Sequence, residues 1–357
     1  MTHPVGTVVA RCRRIRCLGW ADEVAHRHPG DDFEACIYQA AGADGVERTA
    51  TLVRHVPNGG TDRPGQPVPH PLPRRAVLFL HGWSDYFFNV ELAQFWTNKG
   101  FEFFALDMHN HGRSLQPDTH GGFVADLDDY DAEISKAIGI IGSLRPEEAA
   151  GPSLTLMGHS TGGLVAALWV SRHPGVAAQL VLNSPWLEMH GSSLVRRAAR
   201  TMVGPLAHYR PEAVLRLPER GFYWRSISSE AEGEWTLDNK YRPPMAFPVR
   251  AGWLRAVLAG HSRVARGLRI DIPILVLLSG ASETGLFWTE AMRRTDAVLD
   301  VNTIAIRAMA LGRSVTLERI DGALHDVFLS PAHVRADAYA RLNRWIRGYI
   351  LDDGGQQ

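Results

Sequence analysis

Cysteine is scarce in this sequence. The chain has three cysteines in 357 residues: Cys12, Cys17 and Cys36. They form no Cys-x-x-Cys pair, and an odd number in so long a chain argues against a disulfide framework. No second pair of ligand residues follows Cys12 and Cys17 with the spacing of a zinc site. We therefore expect structural or free thiols and no metal.

The sequence also lacks an excess charge and a long apolar run. Lys+Arg and Asp+Glu number 38 each, so no net field favours nucleic acid or an anionic membrane. No stretch approaches the roughly 18 apolar residues of a membrane span. Asp22 and Glu23 follow the basic N-terminal segment before a secretory apolar run of about 7–15 residues could form. We expect a cytoplasmic protein with no stable membrane insertion and no nucleic-acid partner.

Strand patterns alternate with helical ones along most of the chain. The apolar run Ala76–Leu80 is typical of a strand buried on both faces of a parallel sheet. Such alternation favours the α/β class, with a mainly parallel sheet and helices on both faces. The predicted strands are 33–39, 50–56, 76–80, 101–106, 153–157, 179–183, 274–278 and 315–320; the predicted helices include 126–141, 164–170, 301–310 and 331–350.

The alternation stops between residues 185 and 267. This stretch has amphipathic pieces without a strand pattern, so we predict an inserted, mostly helical cap. It would lie over the carboxyl ends of the strands, where open α/β sheets bind ligands. Residues 1–184 and 268–357 then form the core domain. The aromatic residues of the cap could fill its own core or line a substrate pocket: Trp186, Tyr209, Phe222, Tyr223, Trp224, Trp235, Tyr241 and Trp253.

One short stretch carries the strongest chemical signal. Gly158-His159-Ser160-Thr161-Gly162 lies between the predicted strand 153–157 and the predicted helix 164–170. In that context Gly-x-Ser-x-Gly forms a tight turn that exposes the serine hydroxyl above the sheet. Ser160 is therefore the candidate nucleophile. The backbone N–H of Thr161, at a helix N-terminus, is a candidate donor to an oxyanion.

A serine nucleophile needs a base to take its proton. The sequence has 16 histidines, and His325 differs from the rest by its position after the last predicted strand and before the final helix. We assign it as the candidate base. His81 and His159 flank the site, and we interpret them as supporting residues.

These residues resemble the α/β-hydrolase fold, and more narrowly the branch of monoacylglycerol lipases, lysophospholipases and S33 serine aminopeptidases. The resemblance runs from about Ala76 to the C-terminal helix, through the segments 80–83, 107–114, 158–163 and His325. It implies that the backbone N–H of Trp83 is the second oxyanion donor. In the segment 107–114, His109 and Asn110 stand where the family usually has Arg and Gly.

The third catalytic residue is a choice between two acids. The family places its acid shortly after the strand predicted at 274–278. Glu283 has the usual offset from Gly280, but Asp296-Ala297-Val298-Leu299-Asp300 has the usual sequence pattern. Asp296 also precedes His325 by 29 residues, close to the usual spacing, whereas Glu283 precedes it by 42. We predict Asp296 as the acid after an insertion at about 281–295, with Glu283 as runner-up and Asp300 capping the next helix.

The favoured function is a serine hydrolase that cleaves an ester with an apolar acyl group through an acyl-enzyme. A small-molecule ester is the expected partner, with no metal or organic cofactor, and the oligomeric state is left open. An S33-type aminopeptidase would use the same triad with a carboxylate to hold the substrate ammonium group; Glu230, Glu232 and Glu234 are candidates. A binding protein that kept the fold without the chemistry is a further alternative.

Overall fold

The computed structural model describes residues 32–42, 44–57, 75–144, 154–189, 203–216 and 220–351. An eight-stranded sheet in the order β1-β2-β4-β3-β5-β6-β7-β8 forms its centre. The pairs β1–β2 and β2–β4 are antiparallel, and all later neighbours are parallel. The predicted α/β class is confirmed. The strands are β1 (Phe33–Ala41), β2 (Glu47–His55), β3 (Arg75–Leu80), β4 (Phe101–Asp107), β5 (Leu154–His159), β6 (Gln179–Asn183), β7 (Ile274–Ser279) and β8 (Val315–Ile320).

The described residues contain seven α-helices in addition to the helical segment 203–209. They are α1 (Val90–Thr97), α2 (Asp131–Ser143), α3 (Ser160–Arg172), α4 (Phe222–Ile227), α5 (Ala251–Ala265), α6 (Val301–Ala308) and α7 (Ala332–Ile346). Short 3-10 helices add Gly112–Ser114, Leu127–Tyr130, Glu290–Arg293 and Val327–Leu329, and a π-helical turn, Arg347–Leu351, follows α7. The predicted helix at 126–141 is thus wrong at its start, because Asp126 caps a 3-10 turn before α2 begins.

Alternation of side chains along the buried strands explains why helices cover both faces. Leu78 and Leu80 of β3 pack into a core that includes residues of α2, α3 and α5. Val77 and Phe79, which point the other way, pack with residues of α1 and α7. Because these strands are parallel, their carboxyl ends lie along one edge of the sheet. The loops after β3, β5, β7 and β8 therefore meet there.

The strand ends differ from the predictions where pairing extends them. β1 and β2 pair as far as Ala41 with Glu47, which draws polar residues beyond the predicted strands into the ladder. β5 continues to His159, so the glycine–serine turn follows the strand without a linker. The helix predicted at 164–170 begins earlier, at Ser160.

Residues 203–209 are helical, and α4 and α5 lie in the same region of the chain. The described part of 185–267 contains no strand, and its only strand-like pairing there consists of two isolated bridges, Val214–Arg250 and Ser228–Trp235. Among all described residues, no helix is both long enough and apolar enough to cross a membrane. The predictions for Cys12 and Cys17 concern residues outside the described ranges, and Cys36 lies on β1.

Candidate active site

The turn at Ser160 owes its shape to two glycines and one strained serine. Ser160 has a φ of 52°, in the left-handed region that L-residues seldom adopt. A Cβ on Gly158 would lie 2.5 Å from the carbonyl oxygen of Gly162, and one on Gly162 would lie 2.1 Å from that of His81. Side chains at these two positions would force apart β3, β5 and α3. The sequence motif thus follows from the close approach of three backbones.

His325 lies between the other two residues of the predicted triad. Its Nε2 is 3.0 Å from the hydroxyl oxygen of Ser160. Its Nδ1 is 2.9 Å from Oδ2 of Asp296. His325 and Asp296 are buried, whereas Ser160 is partly accessible. One chain of hydrogen bonds therefore joins three parts of the molecule: the turn between β5 and α3, the loop after β7 and the loop after β8.

Asp296 is held in place from both sides. Its Oδ1 accepts hydrogen bonds from the backbone N–H groups of Val298 and Leu299, each at 2.8 Å. These bonds leave Oδ2 to face the imidazole. Asp300 caps α6 by accepting from the N–H of Asn302 at 3.0 Å, and the prediction of its capping role is confirmed.

The runner-up acid occupies a different place. The backbone N–H of Glu283 donates to the carbonyl oxygen of Asp296 at 2.9 Å. The backbone N–H of Asp296 donates to the carbonyl oxygen of Ala281, also at 2.9 Å. The chain therefore leaves the sheet after β7, makes an excursion and returns beside its starting point. This path agrees with an insertion before Asp296. Both ring nitrogens of His325 already have partners, which leaves no position on the imidazole for the Glu283 carboxylate.

The two predicted oxyanion donors lie on either side of Ser160: Trp83 in the loop after β3 and Thr161 in the first turn of α3. Trp83 and Thr161 both line the cavity at the serine. A Cβ on Gly82 would lie 3.3 Å from Cβ of Ser160, so the loop after β3 passes directly over the turn. The indole N–H of Trp83 donates to the carbonyl oxygen of Gly122 at 3.0 Å, which fixes the ring.

The segment after β4 shapes this loop. Asp107 accepts hydrogen bonds from the backbone N–H of Phe87 at 3.0 Å and from the guanidinium of Arg113 at 2.7 Å. Asn110, which stands where the family usually has glycine, has a φ of 60°. Asparagine tolerates this left-handed conformation better than most residues, so the turn survives the substitution.

The two flanking histidines differ in their surroundings. His159 is buried, its ring centre lies 4.9 Å from that of His325, and it lines the cavity. Burial lowers the pKa of His159 to about 4, so the ring is neutral near pH 7. His81 accepts the N–H of Met108 at Nε2, 3.1 Å away, and lies outside the cavity lining.

The cavity above Ser160 has a volume of about 400 Å³. Trp83 stacks on Trp253 of α5 with ring centres 4.4 Å apart, and Trp186 lies 5.8 Å from Trp253. These rings make one side of the cavity apolar. Five of the eight aromatic residues singled out between 185 and 267 line it, namely Trp186, Phe222, Tyr223, Trp224 and Trp253. Within the described ranges, no group of three or more His, Cys, Asp or Glu residues is arranged to hold a metal ion.

Two polar residues of the cavity, Asp85 and Arg242, were not predicted from the sequence; they form a buried ion pair with 2.7 Å between Nη1 and Oδ1. Residues 157 positions apart give no local pattern from which such a pair could be inferred. The three glutamates proposed to hold an ammonium group are absent from the described lining. Glu232 pairs with Arg225 at 3.0 Å, Glu234 pairs with Arg335, and Glu230 accepts from Asn239.

Residues 71–331 match the family described as serine aminopeptidase, S33. The chain belongs to this family. Lysophospholipase L2 of Escherichia coli (strain K12) is 25% identical over 284 residues, which cover 74% of this chain and 78% of that protein. A non-heme chloroperoxidase of Streptomyces lividans is 27% identical over 214 residues, covering 56% and 71% respectively. These matches confirm the predicted branch of the α/β-hydrolases and the predicted class of enzyme, a serine hydrolase.

Solved structures share the fold of this S33-family chain. A monoacylglycerol lipase of Paleococcus ferrophilus aligns with a TM-score of 0.57 and 18% identity, over 77% of this chain and 94% of the lipase. A soluble variant of the Saccharomyces cerevisiae monoglyceride lipase aligns with a TM-score of 0.56 and 17% identity, over 88% and 96%. The α/β-hydrolase fold is therefore confirmed.

Proposed function

We propose that this S33-family protein hydrolyses a carboxylic ester with an apolar acyl group through an acyl-enzyme on Ser160. The hydrogen-bonded chain from Ser160 through His325 to Asp296 is the observation that carries the proposal. His325 takes the serine proton during attack on the ester carbonyl and returns it to the leaving alcohol. Water then attacks the acyl-enzyme with His325 as base again.

Asp296 orients the imidazole and stabilises its charged form. Its second oxygen is occupied by two backbone N–H groups, so the carboxylate cannot turn away from Nδ1. The backbone N–H groups of Trp83 and Thr161 bind the oxyanion of the tetrahedral intermediate. Removal of one such donor typically costs about 100- to 1,000-fold in turnover.

The surroundings of the cavity favour an ester over an N-terminal peptide bond. A peptidase of this kind would need an available carboxylate for the substrate ammonium group. Glu232 and Glu234 are paired with arginines, and Asp85, which does line the cavity, is paired with Arg242. The tryptophans beside Ser160 suit an apolar acyl chain. The division into a core of residues 1–184 and 268–357 and a cap of 185–267 is part of the proposal.

The test combines covalent labelling with a substrate series. Wild-type protein should be labelled by a fluorophosphonate probe and should hydrolyse p-nitrophenyl esters, with a preference that depends on acyl length. Ser160→Ala should lose the label and several orders of magnitude in turnover. Ser171→Ala, on the same helix but outside the cavity lining, is the matched control. Full labelling of Ser160→Ala, or faster turnover of aminoacyl amides than of every ester, would overturn the proposal.

A further inference from the structure

The polar side of the cavity contains a buried ion pair with unused hydrogen-bonding capacity. The side chains of Asp85 and Arg242 are only 6% and 7% exposed, and both residues line the cavity at Ser160. A guanidinium has five N–H donors. Asp85 Oδ1 accepts one of them, at 2.7 Å, and the hydroxyl oxygen of Tyr223 lies close enough to accept a second. The other N–H groups of Arg242 have no further acceptor of good geometry among the described residues, and Arg242 lines the cavity.

Tyr223 of α4 links this ion pair to the catalytic histidine. Its ring meets that of His325 edge to face, with centres 5.0 Å apart at 86°. On the same ring, the guanidinium carbon of Arg242 lies 4.9 Å from the centre. The guanidinium carbon of Arg242 therefore lies at most about 10 Å from the ring centre of His325.

The hydroxyl of Tyr223 has a proton without an acceptor. Its oxygen is buried and makes no hydrogen bond of strict geometry with the described residues, although the guanidinium of Arg242 lies close enough to donate to that oxygen. Arginine has donors only, so it cannot accept the phenolic proton. Burial raises the pKa of Tyr223, so the proton is present at neutral pH. A buried donor left unsatisfied destabilises the folded protein, and a ligand oxygen would remove that cost.

We propose that Tyr223 and Arg242 form a subsite for an anionic oxygen group of the ester substrate, a carboxylate or a phosphate. The phenolic O–H and the free guanidinium N–H groups would both donate to that group. The inference rests on the proposed function and adds a charged recognition element to it. The substrate would be an ester with an apolar part against the tryptophans and an anion near its carbonyl.

The charged residues of the cavity suit an anionic group. Arg220 and Arg242 line it, and Asp85 is the single carboxylate in its described lining. A purely structural ion pair would explain the contact between Asp85 and Arg242. It would not explain a tyrosine that presents an unused donor beside the same guanidinium.

The experiment compares substrates that differ in charge at one end. The first pair is monoethyl glutarate and its neutral terminal amide, which place the charge on the acyl side. The second is 1-lauroylglycerol 3-phosphate and 1-lauroylglycerol, which place it on the alcohol side. Hydrolysis is followed by titration of released acid, and the result is the ratio of kcat/KM within each pair. The pair that shows the preference identifies the anion together with its position, as a carboxylate on the acyl side or a phosphate on the alcohol side.

Two variants test the subsite. Tyr223→Phe should lower the ratio for the preferred pair about tenfold or more, the effect of one hydrogen bond to a charged group. Asp85→Asn with Arg242→Gln should do the same while leaving no unpaired buried charge. Tyr339→Phe is the matched control, because Tyr339 also has a buried hydroxyl oxygen without a well-formed hydrogen bond but lies outside the cavity lining. It should leave the ratio unchanged.

Several outcomes would overturn the inference. They are a wild-type enzyme with no preference in either pair, variants that keep the wild-type ratio, or Tyr339→Phe lowering it equally. Thermal unfolding adds a further test, since Tyr223→Phe should melt at or above the wild-type temperature. A clear loss of stability would mean that the hydroxyl already has a structural partner. Failure of the proposed function is distinct, because it would appear as hydrolysis by Ser160→Ala.

Discussion

Replacing Asp296 with asparagine separates the two candidate acids. Oδ2 of Asp296 accepts from Nδ1 of His325, while Oδ1 accepts two backbone N–H groups at 2.8 Å. In Asp296→Asn the side-chain oxygen keeps those two N–H groups, and the amide N–H₂ faces Nδ1. That geometry favours the tautomer with a proton on Nε2, which then cannot accept the proton of Ser160.

The expected loss in kcat is about 10⁴-fold, or about 5.5 kcal/mol of transition-state stabilisation, by analogy with the corresponding change in serine proteases. The assay is steady-state hydrolysis of a p-nitrophenyl ester, with fluorophosphonate labelling rates as a second readout. Glu283→Gln is the matched control and should stay within about threefold of wild type. Near-normal activity of Asp296→Asn together with a large loss in Glu283→Gln would refute the assignment and the insertion before Asp296.

Two further predictions concern stability. Burial lowers the folded-state pKa of His159 to about 4 from 6.5, so the contribution of this neutral ring to the free energy of unfolding is complete above pH 6.5 and falls as the pH drops towards 4. Urea unfolding should show about 3 kcal/mol less stability from this group near pH 4, and His159→Gln should flatten the pH dependence. Gly162→Ala should lower the free energy of unfolding by about 3 kcal/mol or more, because its Cβ would lie 2.1 Å from the carbonyl oxygen of His81. Gly139→Ala on α2 is the control: its Cβ would have no neighbour within 4 Å, so the change should be neutral or stabilising. Unchanged stability in Gly162→Ala would contradict the close packing of the three backbones.

The part of the site that lies in one short stretch could be predicted from sequence because its signal is local. Gly158, Ser160 and Gly162 are recognisable since strand, turn and helix follow one another without interruption. For the acid, the offset from Gly280 favours Glu283, whereas the sequence pattern and the spacing to His325 favour Asp296, and Asp296 is the residue that lies beside His325. Sequence patterns of this kind predict contacts between residues that are close to one another in the chain.

The polar side of the cavity could not be predicted in this way. Asp85 and Arg242 meet through the packing of the chain between 220 and 250 against the loop after β3, and no periodicity records that contact. Among the aromatic residues, Trp253 and Tyr241 looked equivalent in sequence. In the structure the first lines the cavity and the second packs on Tyr86, because tertiary contacts decide which ring faces the ligand.

The stack between Trp83 and Trp253 gives the cavity an intrinsic fluorescent probe. The ring of Trp83, the residue proposed as an oxyanion donor, lies 4.4 Å from the ring of Trp253, and Trp186 completes a cluster of three indoles. Indoles this close quench and exchange excitation with one another. Because all three rings line the cavity, an acyl group bound there would change their surroundings, and intrinsic fluorescence should follow formation and decay of the acyl-enzyme.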